Sequence, residues 1–282
     1  MRLASIVRDG RTMPAVIDDR GVAAVEGFAQ HLPTDALELL ADKTWQEVVA
    51  SAGQADAKLF SPADQVPFTA PYRRPHKIWG IGLNYRDHAA DLSESAPDQP
   101  ASFIKGDHTI CGPDEPIVIP RQSQRTTVEA ELGIVIGRYC RNVTKDEALD
   151  YVWGVTTILD QTAEDILRQN PRFLTRAKNF PTFFCFGPEM IPLNDILDRF
   201  GALEDIEVST IVNGAQKRTN TVANMTHRPA SLISFHSQMM PLYPGDIIST
   251  GTPGAIVVAD GDVVEAVFPG VGHLKNTVRA EA

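Results

Sequence analysis

The chain has 282 residues, enough for one large domain or for a domain with a small extension. Its net charge of −10 argues against a general nucleic-acid or anionic-membrane surface, while leaving room for an anionic small molecule held by a local cation. Cys111, Cys140 and Cys185 are widely spaced and form no Cys-x-x-Cys pair, which points to a reducing compartment. No stretch is long and apolar enough to span a bilayer, the start (Met1-Arg2-Leu3-Ala4-Ser5) has no apolar leader region, and a cytoplasmic protein is expected.

Residues 2–28 read as short β segments: a strand at 3–7, a hairpin turn at Asp9-Gly10, a strand at 14–17, a turn over 18–21 and a strand at 22–25. Residues 35–52 carry Leu37, Leu40, Trp45 and Val48 at mostly helical spacing, with Thr34 as the expected N-cap. Pro62, Pro67, Pro71 and Pro75 punctuate a polar connection, which places a boundary near residue 73. The expected organisation is a small α+β accessory domain over 1–73 and a larger domain over 74–282.

Residues 77–83 read as a buried strand running into Asn84-Tyr85-Arg86-Asp87-His88. Gly80-x-Gly82 lacks the third glycine and distal acid of a dinucleotide loop. Residues 91–100 are acidic and proline-bearing, as in a mobile segment, and 103–105 and 116–120 are strand-like. Thr144 and Glu147 form a capping box expected to open a helix over 147–153 that stops at Gly154. A strand at 155–159 follows, with Asp160 at its end, and Thr162 is expected to cap a helix through Arg168. Phe180, Phe183, Phe184 and Phe186 read as core rather than as a substrate wall. The last third is mostly β (206–212, 246–250, 262–268, 273–279), with a turn at Asn213-Gly214 and a helix at 229–239. The pattern is that of a mainly β or α+β protein with few helices.

The most informative stretch is Thr126-Thr127-Val128-Glu129-Ala130-Glu131-Leu132-Gly133. In a strand, Glu129 and Glu131 point to one face. Two adjacent like charges are unfavourable there unless a cation joins them or one takes a proton. With Asp160 they make three carboxylates without a nearby Cys or His, an oxygen-only set suited to Mg²⁺ before Mn²⁺ or Ca²⁺. The alternative reading, a solvated Glu-x-Glu face, gives way only to the joint pattern of motifs.

That pattern resembles the fumarylacetoacetate hydrolase family over about residues 75–280. The matching stretches are Gly82 to His88, Glu129 to Gly137, Asp150 to Gly154, Asp160, Ala177-Lys178, Gly187-Pro188, Asn213-Gly214 and Pro244 to Pro253. The resemblance implies a closed, rolled β-structure with a few peripheral helices, a divalent metal, commonly a homodimer, and a small dicarbonyl substrate. It implies Glu129, Glu131 and Asp160 as metal ligands, and His88 oriented by Asp91 as the water-activating base. It further implies Lys178 at the enolising or carboxylate oxygens, and Thr252 and Tyr85 at the substrate. The reaction implied is hydrolysis of a carbon–carbon bond in a β-diketone or 2,4-dioxo acid. Isomerisation, tautomerisation, hydration or decarboxylation of a 2-oxo acid on the same platform, and a non-catalytic binding role, are the alternatives.

The chain departs from the family pattern at several points. Glu164 stands where members often carry a substrate-binding Arg, Leu167 where several carry Gln, Asn179 and Pro181 in a segment usually Lys-Ser-Phe-Asp, and Asp91 in place of Glu. Glu164 at that position argues against a small dianion such as oxaloacetate, and for a larger, less charged 1,3-diketone or a sugar-derived diketo acid.

Overall fold

The computed structural model describes residues 1–86 and 97–282. Strands dominate it, as the alternating and continuous apolar runs require, and the helices are short and peripheral.

The chain opens with a meander of β1 (Arg2–Arg8), β2 (Arg11–Asp18) and β3 (Gly21–Ala24). Asp9 and Gly10 both have positive φ, 50° and 72°, matching a two-residue hairpin whose twist suits the flanking strands. The helix expected over 35–52 is corrected: it runs Asp42–Gln54, after a 3-10 turn at Glu38–Leu40. Ala41 is extended between the two, and Asp35 accepts the Leu37 N–H in a local turn, so Ala41 and not Thr34 stands at the helix start. β4 (Phe68–Thr69) pairs with β1, and the position near residue 73 falls between it and β5 (Ile78–Gly82).

β6 (Ala101–Lys105) returns antiparallel to β5, and the short β7 (Ile110–Cys111) and β8 (Ile117–Ile119) follow. The two longest strands, β9 (Thr126–Ile136) and β10 (Val152–Ala163), then pair antiparallel with Glu129 opposite Asp160. The expected 147–153 helix shrinks to one 3-10 turn at Ala148–Tyr151, although the Glu147 carboxylate does accept from the Thr144 N–H and hydroxyl. Gly154 lies inside β10, where a Cβ would stand 1.9 Å from the Ile191 carbonyl oxygen, so its role is strand approach and not helix termination. Thr162 is likewise a strand residue; Ala163 caps the helix Glu164–Gln169.

After the helix Leu174–Lys178 come β11 (Phe184–Pro192), the helix Leu193–Phe200, β12 (Glu207–Val212) and β13 (Ala215–Thr221). The helix Pro229–Met239, β14 (Ile247–Ser249), β15 (Ile256–Val258), β16 (Val263–Phe268) and β17 (Gly272–Ala280) complete the chain.

The larger sheet has the order β3-β2-β1-β11-β10-β9-β14-β5-β6, with β15, β4 and β7 as side partners; the smaller runs β13-β12-β16-β17-β8. The N-terminal meander therefore extends the larger sheet through β1 beside β11. Even-numbered residues of β9, from Val128 to Ile136, share a core with Val208, Val264, Ala266 and Leu274 of the smaller sheet. The odd-numbered residues Thr127, Glu129 and Glu131 point to the opposite face, because successive side chains alternate across a strand. Phe183, Phe184 and Phe186 are fully buried core residues, as expected from the sequence, and all three cysteines are free and buried.

Candidate metal centre and active site

Glu129, Glu131 and Asp160 are buried, and each offers a carboxylate oxygen within 4.8 Å of the others. The register explains the convergence: Glu129 and Glu131 share a face of β9, and Asp160 is the cross-strand partner of Glu129. Glu129 Oε1 accepts from the hydroxyls of Thr127 at 3.3 Å and Thr162 at 3.2 Å. Glu131 Oε2 accepts from Ser249 Oγ at 2.6 Å and from the Gly251 N–H at 2.9 Å. Gly251 has φ 95°, and a Cβ on it would meet the Cβ of Asn84 at 2.7 Å, so this turn closes around Glu131 only with glycine.

Two ammonium groups reach the triad. Lys178 Nζ donates to Asp160 Oδ2 at 2.7 Å and to Glu129 Oε2 at 3.0 Å. Lys105 Nζ donates to Asp160 Oδ1 at 2.5 Å. Both lysines are buried, and the Phe103 ring lies 5.0 Å from Lys178 Nζ. Gly80 makes room for that ring, since a Cβ there would be 2.2 Å from it. Asn179 ties the two lysine-bearing segments together: its Oδ1 accepts the Gly106 N–H, and its Nδ2 donates to the carbonyls of Ile104 and Thr175. Ala177 and Phe180 pack with Ala163, Ile166 and Phe183 beneath the Leu174–Lys178 helix and hold it in place.

If all three carboxylates were ionised against the two ammoniums, this buried site would hold one negative charge in excess. Burial, reinforced by the Asp160 charge, raises the pKa of Glu131 to about 8. Asp160 is held below the usual carboxylate range: burial works against this, and Lys105 and Lys178 prevail. Burial likewise opposes ionisation of Lys178, but Asp160, Glu129 and Glu131 keep its pKa above the ordinary lysine value. Lys105 goes the other way, because burial outweighs Asp160. An all-oxygen donor set with surplus negative charge fits a hard divalent cation, whose arrival would remove the unfavourable charge on Glu131.

Of the other residues read from the sequence, Tyr85 is buried, and its hydroxyl has no hydrogen-bond partner. Burial and the Glu131 charge raise its pKa. Thr252 is buried in the turn after Gly251, its hydroxyl bonded to the N–H and carbonyl of Gly254. Glu164 opens its short helix and is ion-paired with Arg125 and Arg168, so its charge is already met by two guanidiniums. His88, Asp91 and most of the 91–100 segment lie outside the described residues.

The roles of Lys105, Ser249, Asn179 and Arg125 were not read from the sequence, although Asn179 stands out there as a departure from the family pattern. The one available signal for Lys105 was a cation closing the apolar strand Ala-Ser-Phe-Ile-Lys, two positions after Phe103, and it does not specify a partner.

The sequence pattern of the family described as Fumarylacetoacetate (FAA) hydrolase C-terminal matches residues 77–279. The chain is 30% identical over 289 residues to the 2,4-didehydro-3-deoxy-L-rhamnonate hydrolase of Sphingomonas sp., covering 99% of this chain and 96% of that protein. It is 30% identical over 266 residues to the mitochondrial oxaloacetate tautomerase of Rattus norvegicus, covering 92% and 84%. Among solved structures, the maleylpyruvate hydrolase of Sphingobium sp. SYK-6, in complex with manganese (II) ion and pyruvate, aligns over 100% of both chains with a TM-score of 0.84 and 25% identity. A pattern spanning most of the chain, with the buried acidic triad inside it, establishes that this protein belongs to the fumarylacetoacetate hydrolase family.

Proposed function

We propose that the protein is a Mg²⁺- or Mn²⁺-dependent hydrolase that cleaves a carbon–carbon bond in a β-diketone or 2,4-dioxo acid. The observation that carries this reading is the buried Glu129–Glu131–Asp160 cluster with two lysines on it. Glu129, Glu131 and Asp160 would hold the ion. When bound, the ion supplies Lewis acidity toward a chelated dicarbonyl and offsets the charge of the departing enolate, an effect worth several kcal/mol.

The protein's own groups divide the remaining work. Lys178, already on two ligand carboxylates, presents its ammonium where enolate charge develops. The unpaired Tyr85 hydroxyl offers a buried hydrogen bond to substrate, and Thr252 offers another once its hydroxyl turns from the Gly254 carbonyl. His88, oriented by Asp91, takes a proton from water as the oxygen attacks the distal carbonyl carbon. The carbon–carbon bond then breaks, its electron pair leaves as the enolate, and the proton returns from His88 to the enolate carbon. A homodimer in the cytoplasm is part of the same proposal.

A second reading, tautomerisation or isomerisation on the same platform, is supported by the similarity to the rat oxaloacetate tautomerase and by the presence of two lysines able to assist proton transfer without His88. Incubation with Mg²⁺ and acylpyruvates, diketo sugar acids and neutral 1,3-diketones tests both readings. Paired fragments that vanish with EDTA and in His88→Ala support hydrolysis; a single rearranged product supports the second reading.

A further inference from the structure

Arg125, Glu164 and Arg168 lie just beyond the end of the strand ladder that carries the acidic triad, Arg125 directly before β9 and the other two in the helix directly after β10. Cross-strand partners step from Glu129–Asp160 to Thr127–Thr162, and the next rung is closed by the Glu164 N–H donating to the Arg125 carbonyl at 2.8 Å. Residues two apart share a face, so Arg125 and Glu164 emerge on the triad's side, roughly 13 Å further along the strands. Helix Glu164–Gln169 begins at this rung and brings Arg168 back to it, where its Nη2 donates to Glu164 Oε1 at 3.0 Å.

The cluster is braced from behind. Asp165 accepts from the Ser123 hydroxyl at 2.8 Å and from the Gln124 N–H at 2.7 Å, and the Arg125 N–H donates to Ser123 Oγ at 3.3 Å. The Arg125 backbone is thus fixed to the helix, and its Nε is fixed to Glu164 Oε2. The Glu164 side chain is 12% exposed but that of Arg125 is 42% exposed, and among the described residues no partner engages its terminal Nη donors. With Asp165 counted, two guanidiniums face two carboxylates and the cluster is balanced, but Asp165 is spent on Ser123 and Gln124, so the exposed Arg125 fork is the part of it turned toward solvent.

We propose that Arg125 reads a second, distal carboxylate of the substrate, and that Glu164 is the positioning residue that aims its guanidinium. The substrate class is then a 2-oxo or 1,3-dicarbonyl acid whose far carboxylate lies well beyond the chelating head. The fork of an arginine suits a carboxylate, and the ion pair with Glu164 holds the fork in one orientation before ligand arrives. This inference rests on the functional reading above, in which the substrate head sits at the triad.

The test is calorimetric binding of two probes of equal chain length to the Mn²⁺-loaded protein: 2-oxoadipate, with a distal carboxylate, and 2-oxohexanoate, without one. The wild type is expected to prefer 2-oxoadipate by roughly tenfold or more, the usual scale for a charge-assisted hydrogen bond. Arg125→Ala should bring the ratio close to one while leaving Mn²⁺ affinity and 2-oxohexanoate binding intact. Arg125→Lys should restore only part of the preference. Glu164→Gln should lower it, and Glu164→Asp should recover some of it, a pattern that mere loss of folding does not produce. Metal-dependent binding of both probes with no preference, or a preference unchanged in Arg125→Ala, overturns the inference alone. Failure of both probes to bind the Mn²⁺-loaded wild type overturns the functional reading and this inference with it.

Discussion

Two charged clusters share one face of the β9–β10 ladder, four residues apart, and they solve opposite problems. At the floor, Glu129, Glu131 and Asp160 are buried with Lys105 and Lys178, and full ionisation would leave a surplus negative charge that burial makes costly. At the rim, Glu164 is shared by Arg125 and Arg168 in partial contact with solvent, and Asp165 beside them balances the charge. The same residue types therefore have different consequences. The floor balances only when Glu131 takes a proton or a cation arrives, whereas the rim pairs its charges as it stands, within reach of solvent.

The sharpest way to break this contrast is at the floor. Replacing both Glu129 and Glu131 by Gln is expected to abolish calorimetric Mn²⁺ binding and to lower turnover by a factor on the order of 10³ or more. Lys178→Ala should cost roughly 10² to 10³ in kcat while leaving substrate affinity less affected, because its ammonium matters most as charge develops. Lys105→Met should appear in urea unfolding, with about 3 kcal/mol lost as Asp160 forfeits a buried partner. Asn179→Ala removes the clasp between the two lysine segments, and should lower stability by about 1 to 3 kcal/mol with a parallel fall in turnover.

The smallest effect separates the clusters by pH. Glu131 has its pKa raised to about 8 in the folded, metal-free protein, so folding favours its protonated form. Its contribution is neutral below the ordinary Glu range and turns increasingly destabilising as pH rises from there through about 8. Thermal melts without metal should therefore show Glu131→Gln gaining on the wild type between pH 5 and pH 8. Saturating Mn²⁺ should cancel that gain, because the ion replaces the proton on Glu131. A gap that stays constant with pH would contradict the electrostatic account of the floor.

Much of this arrangement was legible in the residues. Glu-x-Glu before an apolar run sets two carboxylates on one face, and Asp9-Gly10 and Asn213-Gly214 mark their turns, each with positive φ at both residues. The helix Pro229–Met239 was readable from its bounds. Other parts depended on tertiary packing. The 147–153 segment has a capping signal, yet strand pairing with β9 and β11 claims Val152 and Gly154, with Trp153 at the bulge between them. β11 was hidden because Gly187-Pro188 interrupts its apolar pattern. Lys105 reads as an ordinary solvated lysine until the fold places Asp160 against it. Glu164 reads as a reversed charge until Arg125, 39 residues earlier, is found beside it.

The most direct test of the central claim is product analysis with an acylpyruvate panel and Mg²⁺, comparing wild type with the Glu129→Gln, Glu131→Gln double variant and an EDTA control. The account expects metal-dependent conversion into two carbon fragments, lost in both the variant and the EDTA sample. Conversion that persists unchanged in the double variant and in EDTA would contradict it.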